Sequence, residues 1–168
     1  MLLHYTYLST PIGHLLLAGQ AEQLAYVGLP AADKTMQPPP EWQRQSTILK
    51  AAQQQLTEYF AGRRQSFDLL LSPMGTEFQC QVWQQLQQIP YGSVCSYGDI
   101  AEAIGRPKAC RAVGAANGQN PIPIIIPCHR VIGANGQLTG FSGGLSVKAH
   151  LLTLEGVKVD NQSQQALF

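Results

Sequence analysis

PIPIIIPCHRVIGANGQLTGFSGG, residues 121–144, is the stretch around which the rest of the chain is organised. Pro121, Pro123 and Pro127 fix φ and push each preceding residue towards extended conformations, which rules out a helix. Ile124, Ile125 and Ile126 between them suit a short, buried, extended segment. Pro127 then delivers Cys128 directly before His129 and Arg130. A thiol reacts as its thiolate, and an adjacent imidazole or guanidinium lowers its pKa, so this setting predicts a reactive cysteine. The bland alternative is a free cysteine acting as a small buried hydrophobe. The rigid proline frame and the paired histidine favour chemistry. Downstream, Gly133-Ala-Asn-Gly136 is a turn signal. The return, Gly140-Phe-Ser-Gly-Gly144, is glycine-rich enough to let something flat approach the backbone.

Upstream, Thr76-x-x-Gln79 and Ser96-x-x-Asp99 have capping-box spacing. The first opens a helix expected to run to about Ile89, with Phe78, Val82, Trp83 and Leu86 forming a core stripe. The second opens a short helix, Tyr97 to Ile104. Gly105-Arg-Pro107 then turns the chain into another helix, from about Lys108 to Asn117. Two short helices joined by a glycine-containing turn describe a helix-turn-helix. A reader of major-groove base edges would carry Asn, Gln, Arg or Ser along one face of the second helix. Here Arg111 is the single long polar side chain among Ala109, Cys110, Ala112, Val113, Gly114, Ala115 and Ala116. Small residues of this kind let a helix press against a surface or enter a narrow groove, and Val113 reads as packing.

In the first half, residues 2–8, 14–18 and 23–29 read as three strands joined by tight turns, an antiparallel sheet with one covered face. After the Pro38-Pro-Pro40 loop, Ser46 or Thr47 is placed to cap a helix running to about Ala61 and ended by Gly62. Residues 67–71 read as a further strand. A boundary is expected near Ser72-Pro-Met-Gly75, giving an N-terminal domain over 1–74 and a C-terminal domain over 75–168. The expected class is α/β.

The 168 residues carry a net charge of +1, which excludes a globally polycationic binder. Arg106, Lys108, Arg111, Arg130 and Lys148 nevertheless lie in a span, 106–150, that contains no Asp or Glu. A local basic patch of this kind suffices to dock a phosphate backbone. Cys80, Cys95, Cys110 and Cys128 show no CxxC spacing, the opening residues read as a strand rather than a secretory leader, and nothing approaches a membrane span. The expectation is a cytoplasmic protein with free thiols and no membrane partner.

The run Ile126-Pro-Cys-His-Arg-Val131 resembles the acceptor motif of the O6-alkylguanine-DNA alkyltransferases, the methylated-DNA–protein-cysteine methyltransferases. The resemblance extends to Arg111-Ala-Val-Gly-Ala-Ala-Asn117, Phe141-Ser-Gly-Gly-Leu-Ser-Val-Lys148 and Leu154-Glu-Gly156. It is dense from about Gly75 to Gly156 and thin before that. It implies a small N-terminal RNase H-like α/β domain, followed by an all-helical DNA-binding domain holding the helix-turn-helix and the active-site loop. It further implies Cys128 as alkyl acceptor, His129 as the base acting through a water, Glu155 as the carboxylate orienting the imidazole, and Asn120 as the hinge between recognition helix and active-site loop. Arg130 would brace the fold through a salt bridge. On the substrate side, Tyr97 would push the target phosphate and help rotate the nucleotide out. Val131 and the backbone near Cys128 would read the guanine edge, Phe141 would stack on the base, Ser142 would face O6, and Gly143 with Gly144 would let the loop close. Arg111 would intercalate from the minor groove and Arg106 would touch phosphate, with Gly98 and Ala134 contributing backbone only. Phe141 departs from the family's usual tyrosine. It keeps the stacking face and lacks the hydroxyl donor, which predicts weaker activation of the leaving group. Some family members hold zinc with N-terminal Cys and His; no cysteine precedes Cys80 here, so neither metal nor cofactor is expected.

The chemistry fits those residues. An alkyl group on guanine O6 is attached through an sp³ carbon, so its removal is an in-line displacement, for which a thiolate is the best protein nucleophile. The target atom is inaccessible in a stacked duplex, so the base must be flipped out. A thioether is not reversed by ordinary cellular reductants, so each lesion would consume one protein molecule. The expected function is therefore stoichiometric direct reversal of O6-alkylguanine in duplex DNA, with O4-alkylthymine as second candidate substrate. A monomer is expected, with cooperative assembly on DNA as the alternative arrangement. Three rivals fit less well. An alkyltransferase-like binder that recognises the lesion without repair replaces the acceptor cysteine, usually with tryptophan, and Cys128 is present. A transcription regulator would need base-reading side chains and a dimer interface. A Cys-His-Glu hydrolase would leave Arg111 and the Gly143-Gly144 loop unexplained.

Overall fold

In the computed structural model, which describes residues 2–31, 34–141 and 143–159, the chain divides into two units, Met1–Met74 and Gly75–Phe168. The first is built on a mixed four-stranded sheet in the order β3-β2-β1-β4. Strands β1 (His4–Thr10), β2 (Gly13–Gln20) and β3 (Gln23–Gly28) form an antiparallel meander. The short β4 (Gln43–Arg44) pairs parallel to β1. The three strands read from the sequence do pair antiparallel; the short β4, which the sequence does not announce, makes the sheet mixed, and the single covered face is corrected. Leu15, Leu16, Leu17 and Ala18 of β2 are buried in succession, as in a strand covered on both faces. Ala18 meets Leu3, Ala25, Tyr5, Tyr26 and Trp42 in one of the resulting clusters.

Helix α1 (Lys50–Phe60) buries Ala52, Leu56 and Tyr59. Neither Ser46 nor Thr47 caps it. Its N-cap is Leu49, in the left-handed region at φ 55°, without a side-chain cap. The Leu49 N–H instead donates to the Glu22 carboxylate at 3.0 Å, a partner 27 residues away that local spacing cannot announce. The strand expected at 67–71 reduces to a parallel bridge between Leu71 and Leu24.

The second unit contains α2 (Glu77–Leu86), β5 (Cys95–Ser96), α3 (Tyr97–Ala103), α4 (Cys110–Gly118), a 3-10 turn (Cys128–Arg130), β6 (Val131–Ile132) and α5 (Leu145–Leu154). Both capping boxes form: Thr76 and Ser96 each accept from the backbone three residues on, and Gln79 and Asp99 reciprocate. Trp83 of α2 is buried and its indole N–H donates to the Ala116 carbonyl of α4 at 2.8 Å. Gly105 takes φ 76° between α3 and α4, where a side chain would be strained. Strands β5 and β6 are parallel, with Cys95 opposite Val131 and Ser96 opposite Ile132, which ties the start of α3 to the residues just after Cys128. Among the described residues no helix is long and apolar enough to cross a membrane.

The Pro121–Pro127 segment is not the extended strand that its isoleucines suggest. Ile126 N–H donates back to the Ile122 carbonyl at 2.9 Å, and Ile124 is forced to φ 77°, an unfavourable backbone for a β-branched residue. Ile122, Ile124, Ile125 and Ile126 are all buried. Apolar burial on every side holds a coiled loop, and the prolines shape it.

Candidate active site

Cys128 opens the 3-10 turn and is 3 % exposed. The extended segment inferred before it does not continue through Cys128, which lies in a 3-10 turn. The turn sends His129 and Arg130 to the same partner. His129 Nε2 lies 2.7 Å from Glu155 Oε2. Arg130 donates from Nε to Oε1 at 2.7 Å and from Nη2 to Oε2 at 3.0 Å, and its Nη1 donates to the Ile89 carbonyl at 2.6 Å. Glu155 is the C-terminal cap of α5 and is itself buried. The guanidinium also lies over the Tyr91 ring at 5.8 Å from its centroid.

This geometry overturns the expectation of a thiol acidified by its neighbours. Burial dominates and pushes the Cys128 thiol up to about 11, against the opposing effects of a hydrogen bond with the Asn120 side chain, the Lys148 charge and the local backbone N–H groups. Arg130 is occupied by Glu155. Burial also lowers the His129 pKa, with Glu155 opposing, so the imidazole is neutral and Nε2–H donates to the carboxylate. That tautomer leaves the lone pair on Nδ1, which is buried and makes no hydrogen bond among the described residues. A neutral imidazole oriented by a carboxylate, with its second nitrogen free, is equipped to take a proton.

The His129 shift has a consequence for stability. Its pKa is lower folded than unfolded, so its contribution is intact above the unfolded value and lost as pH falls through the folded one. Urea unfolding between pH 7 and pH 5 is expected to show a loss of up to about 1.4 kcal/mol per pH unit from this one group. A His129→Gln variant should show a correspondingly flatter acid limb.

Two asparagines reach the cysteine loop from α4 and its end. Asn120 Nδ2 donates to the Ile126 carbonyl at 2.8 Å and Oδ1 accepts from Ile122 N–H at 2.9 Å. Asn117 Nδ2 donates to the Cys128 carbonyl at 3.4 Å. Lys148 is fully buried, donating from Nζ to the carbonyls of Val131 at 2.6 Å and Thr139 at 3.2 Å. Burial lowers its pKa to about 8, opposed by Cys128. The Tyr97 hydroxyl hydrogen bonds the Thr139 hydroxyl. The Tyr97 ring lies 3.8 Å from where a Cβ on Gly114 would stand, so α4 packs closely on it. Val131 is buried, with its N–H bonded to the Cys128 carbonyl. Phe141 and Gly143 are half-buried on the following loop. Ser142 lies outside the described residues.

Arg106, Lys108 and Arg111 are exposed along the α3–α4 connection and the first turn of α4, and Ala134 is exposed on the loop after β6. Gly98 is half-buried in α3. The Arg106 guanidinium lies over the Phe78 ring, 5.6 Å from its centroid. The five-residue basic patch therefore needs correcting: Arg130 and Lys148 turn inward, leaving three exposed cations. Sequence reasoning also missed Asn117, Thr139 and the placement of Lys148. A signal for Lys148 existed, because it shares a helical face with Leu151, Leu152 and Glu155, all of them buried. Among the described residues no group of three or more His, Cys, Asp or Glu is placed to hold a metal ion.

Residues 77–157 match the family described as 6-O-methylguanine DNA methyltransferase, DNA binding domain. Residues 3–73 match its ribonuclease-like domain. The chain is 52 % identical over 154 residues to a methylated-DNA–protein-cysteine methyltransferase of Methanosarcina acetivorans, covering 92 % of this chain and 99 % of the relative. It superposes on the crystal structure of the Mycobacterium tuberculosis O6-methylguanine methyltransferase with a TM-score of 0.86 at 46 % identity, covering 96 % of this chain and 98 % of that one. A crystal structure of Mycobacterium tuberculosis OGT in complex with DNA gives 0.85 at 44 % identity, covering 96 % and 99 %.

Proposed function

Because the chain belongs to the 6-O-methylguanine DNA methyltransferase family, we propose that it repairs O6-alkylguanine in duplex DNA by moving the alkyl group irreversibly to Cys128. The single observation that carries this assignment of roles is the buried His129 held by Glu155, its Nδ1 without a hydrogen bond among the described residues, directly after the buried Cys128. Burial raises the Cys128 thiol to about 11 and so favours its protonated, less nucleophilic form at rest, which suits a protein that can react only once. Deprotonation then belongs to the substrate complex. His129 Nδ1 takes the thiol proton through a water. The thiolate attacks the alkyl carbon in line, the C–O6 bond breaks as the S–C bond forms, and guanine leaves as an anion that takes a proton from a loop donor or from solvent. Phe141 offers a face to the base and no hydroxyl, so O6 depends on other donors in the 140–144 loop, Ser142 among them. Val131 and the backbone at Cys128 bound the guanine edge. Glycines 143 and 144 let the loop close.

On the DNA side, α3 and α4 act as a helix-turn-helix whose second helix enters the minor groove. Arg111 fills the space vacated by the flipped base, Tyr97 works on the target nucleotide's phosphate, and Arg106 contacts backbone, with Gly98 and Ala134 offering main-chain groups. Small residues along α4 permit that close approach, and the binding is sequence-tolerant, as a lesion finder requires. Asn120 couples α4 to the cysteine loop. The protein acts as a monomer.

The test is a titration. A duplex carrying one O6-methylguanine is incubated with increasing protein and the remaining lesion is counted. Loss is expected to plateau at one lesion per protein molecule however long the incubation. Continued loss beyond that ratio would mean turnover and a different mechanism.

A further inference from the structure

Thr139 belongs to none of the roles above, yet two separate hydrogen bonds converge on it. Its hydroxyl meets the hydroxyl of Tyr97 at the start of α3. Its carbonyl accepts from Lys148 Nζ on α5 at 3.2 Å, and the same ammonium holds the Val131 carbonyl at 2.6 Å, three residues after Cys128. Thr139 is thus fixed at its main chain by the frame of the cysteine site, while its side chain faces the tyrosine. Gly114 of α4 packs close to the Tyr97 ring. Thr139 is the hydrogen-bond partner of the Tyr97 phenol among the described residues.

We propose that Thr139 is a positioning residue for base flipping: its hydroxyl orients the Tyr97 phenol so that the tyrosine's own proton points to the target phosphate. This rests on the reading of Tyr97 given under Proposed function. A phenol bonded to another hydroxyl can be donor or acceptor. To donate to an anion, Tyr97 must accept from its neighbour, and a threonine hydroxyl can donate while a carbonyl could not. Burial, the larger influence, raises the Tyr97 pKa, so the phenol retains the proton it has to offer. The arrangement also links the flipping residue to the loop that receives the base, since the segment from Gly133 to Gly144 carries Thr139 and Phe141 two residues apart.

The test compares single-turnover methyl transfer from duplex O6-methylguanine with transfer from the free base O6-methylguanine at high concentration, which needs no flipping. Thr139→Val keeps the branched shape and the carbonyl to Lys148 and removes only the hydroxyl. The duplex-to-free-base rate ratio should fall by about two- to tenfold, the effect of one neutral hydrogen bond. Thr139→Ser should restore it. Tyr97→Phe should lower the same ratio, and adding Thr139→Val to it should change nothing further, because both remove one interaction. An unchanged ratio in Thr139→Val, with Tyr97→Phe impaired, would overturn the role of Thr139 and leave that of Tyr97 standing. An unchanged ratio in Tyr97→Phe would defeat both. Additive losses in the double variant, or equal slowing on both substrates, would make Thr139 a wall of the pocket and overturn the proposal.

Discussion

A Cys128→Ala variant is expected to remove no alkyl group from DNA while still binding the lesion duplex. On the proposed mechanism the sulfur is the nucleophile, and none of the other described cysteines is placed to replace it. Cys80, Cys95 and Cys110 are free thiols elsewhere in the second unit, and none adjoins a histidine in the chain. The variant should fold. Removing one buried sulfur costs roughly the transfer energy of a methylene, about 1 kcal/mol, and the Glu155 cluster is untouched. Single-turnover assays should therefore show transfer below detection, and binding assays should show near-unchanged affinity for undamaged duplex. Residual transfer in this variant would place the acceptor at another residue.

Glu155→Gln should produce the second large effect, and on two observables. The carboxylate is buried and accepts hydrogen bonds from His129 and from Arg130 at two points. Removing its charge leaves the Arg130 guanidinium, 6 % exposed, without a counter-ion among the described residues in a buried site. Breaking one partner of such a buried pair costs about 3–5 kcal/mol, so the unfolding midpoint should fall by roughly 10 °C or more. Transfer should also slow, because the imidazole exchanges a charged carboxylate acceptor for a neutral amide that can present its NH2 instead and so fixes the tautomer less firmly. Arg130→Met added to Glu155→Gln should recover part of the stability, since it removes the stranded charge, and none of the rate. Calorimetry and single-turnover kinetics on the three proteins separate bracing from catalysis. A double variant no more stable than the single one would mean that the guanidinium does not depend on Glu155.

The sequence announced local features well and long-range ones poorly. Thr76-x-x-Gln79 and Ser96-x-x-Asp99 form the capping boxes their spacing specifies because every atom involved lies within one turn. The meander of β1 to β3 is likewise a matter of neighbours and tight turns. The start of α1 escaped because its partner, Glu22, arrives from another hairpin. Strand β4 escaped because two residues carry no periodicity and their register comes from β1. At the site, Cys128, His129 and Glu155 could be named in advance, and they do lie in one buried cluster. Their electrostatics could not. The adjacency of Cys128 to His129 and Arg130 suggests an acidified thiol, but a 3-10 turn hands both neighbours to Glu155 and burial sets the pKa instead. Lys148 shows the same limit from the other side. Counted in sequence it is surface charge; in the fold it is a buried brace between β6 and the following loop.

Peptide-level mass spectrometry after mixing the protein with a duplex bearing one O6-methylguanine tests the central claim most directly. The account predicts a single added methyl on the peptide containing Cys128, saturating at one per molecule. Loss of the lesion with an unmodified Cys128 peptide, or tight binding with no mass change at all, would contradict it.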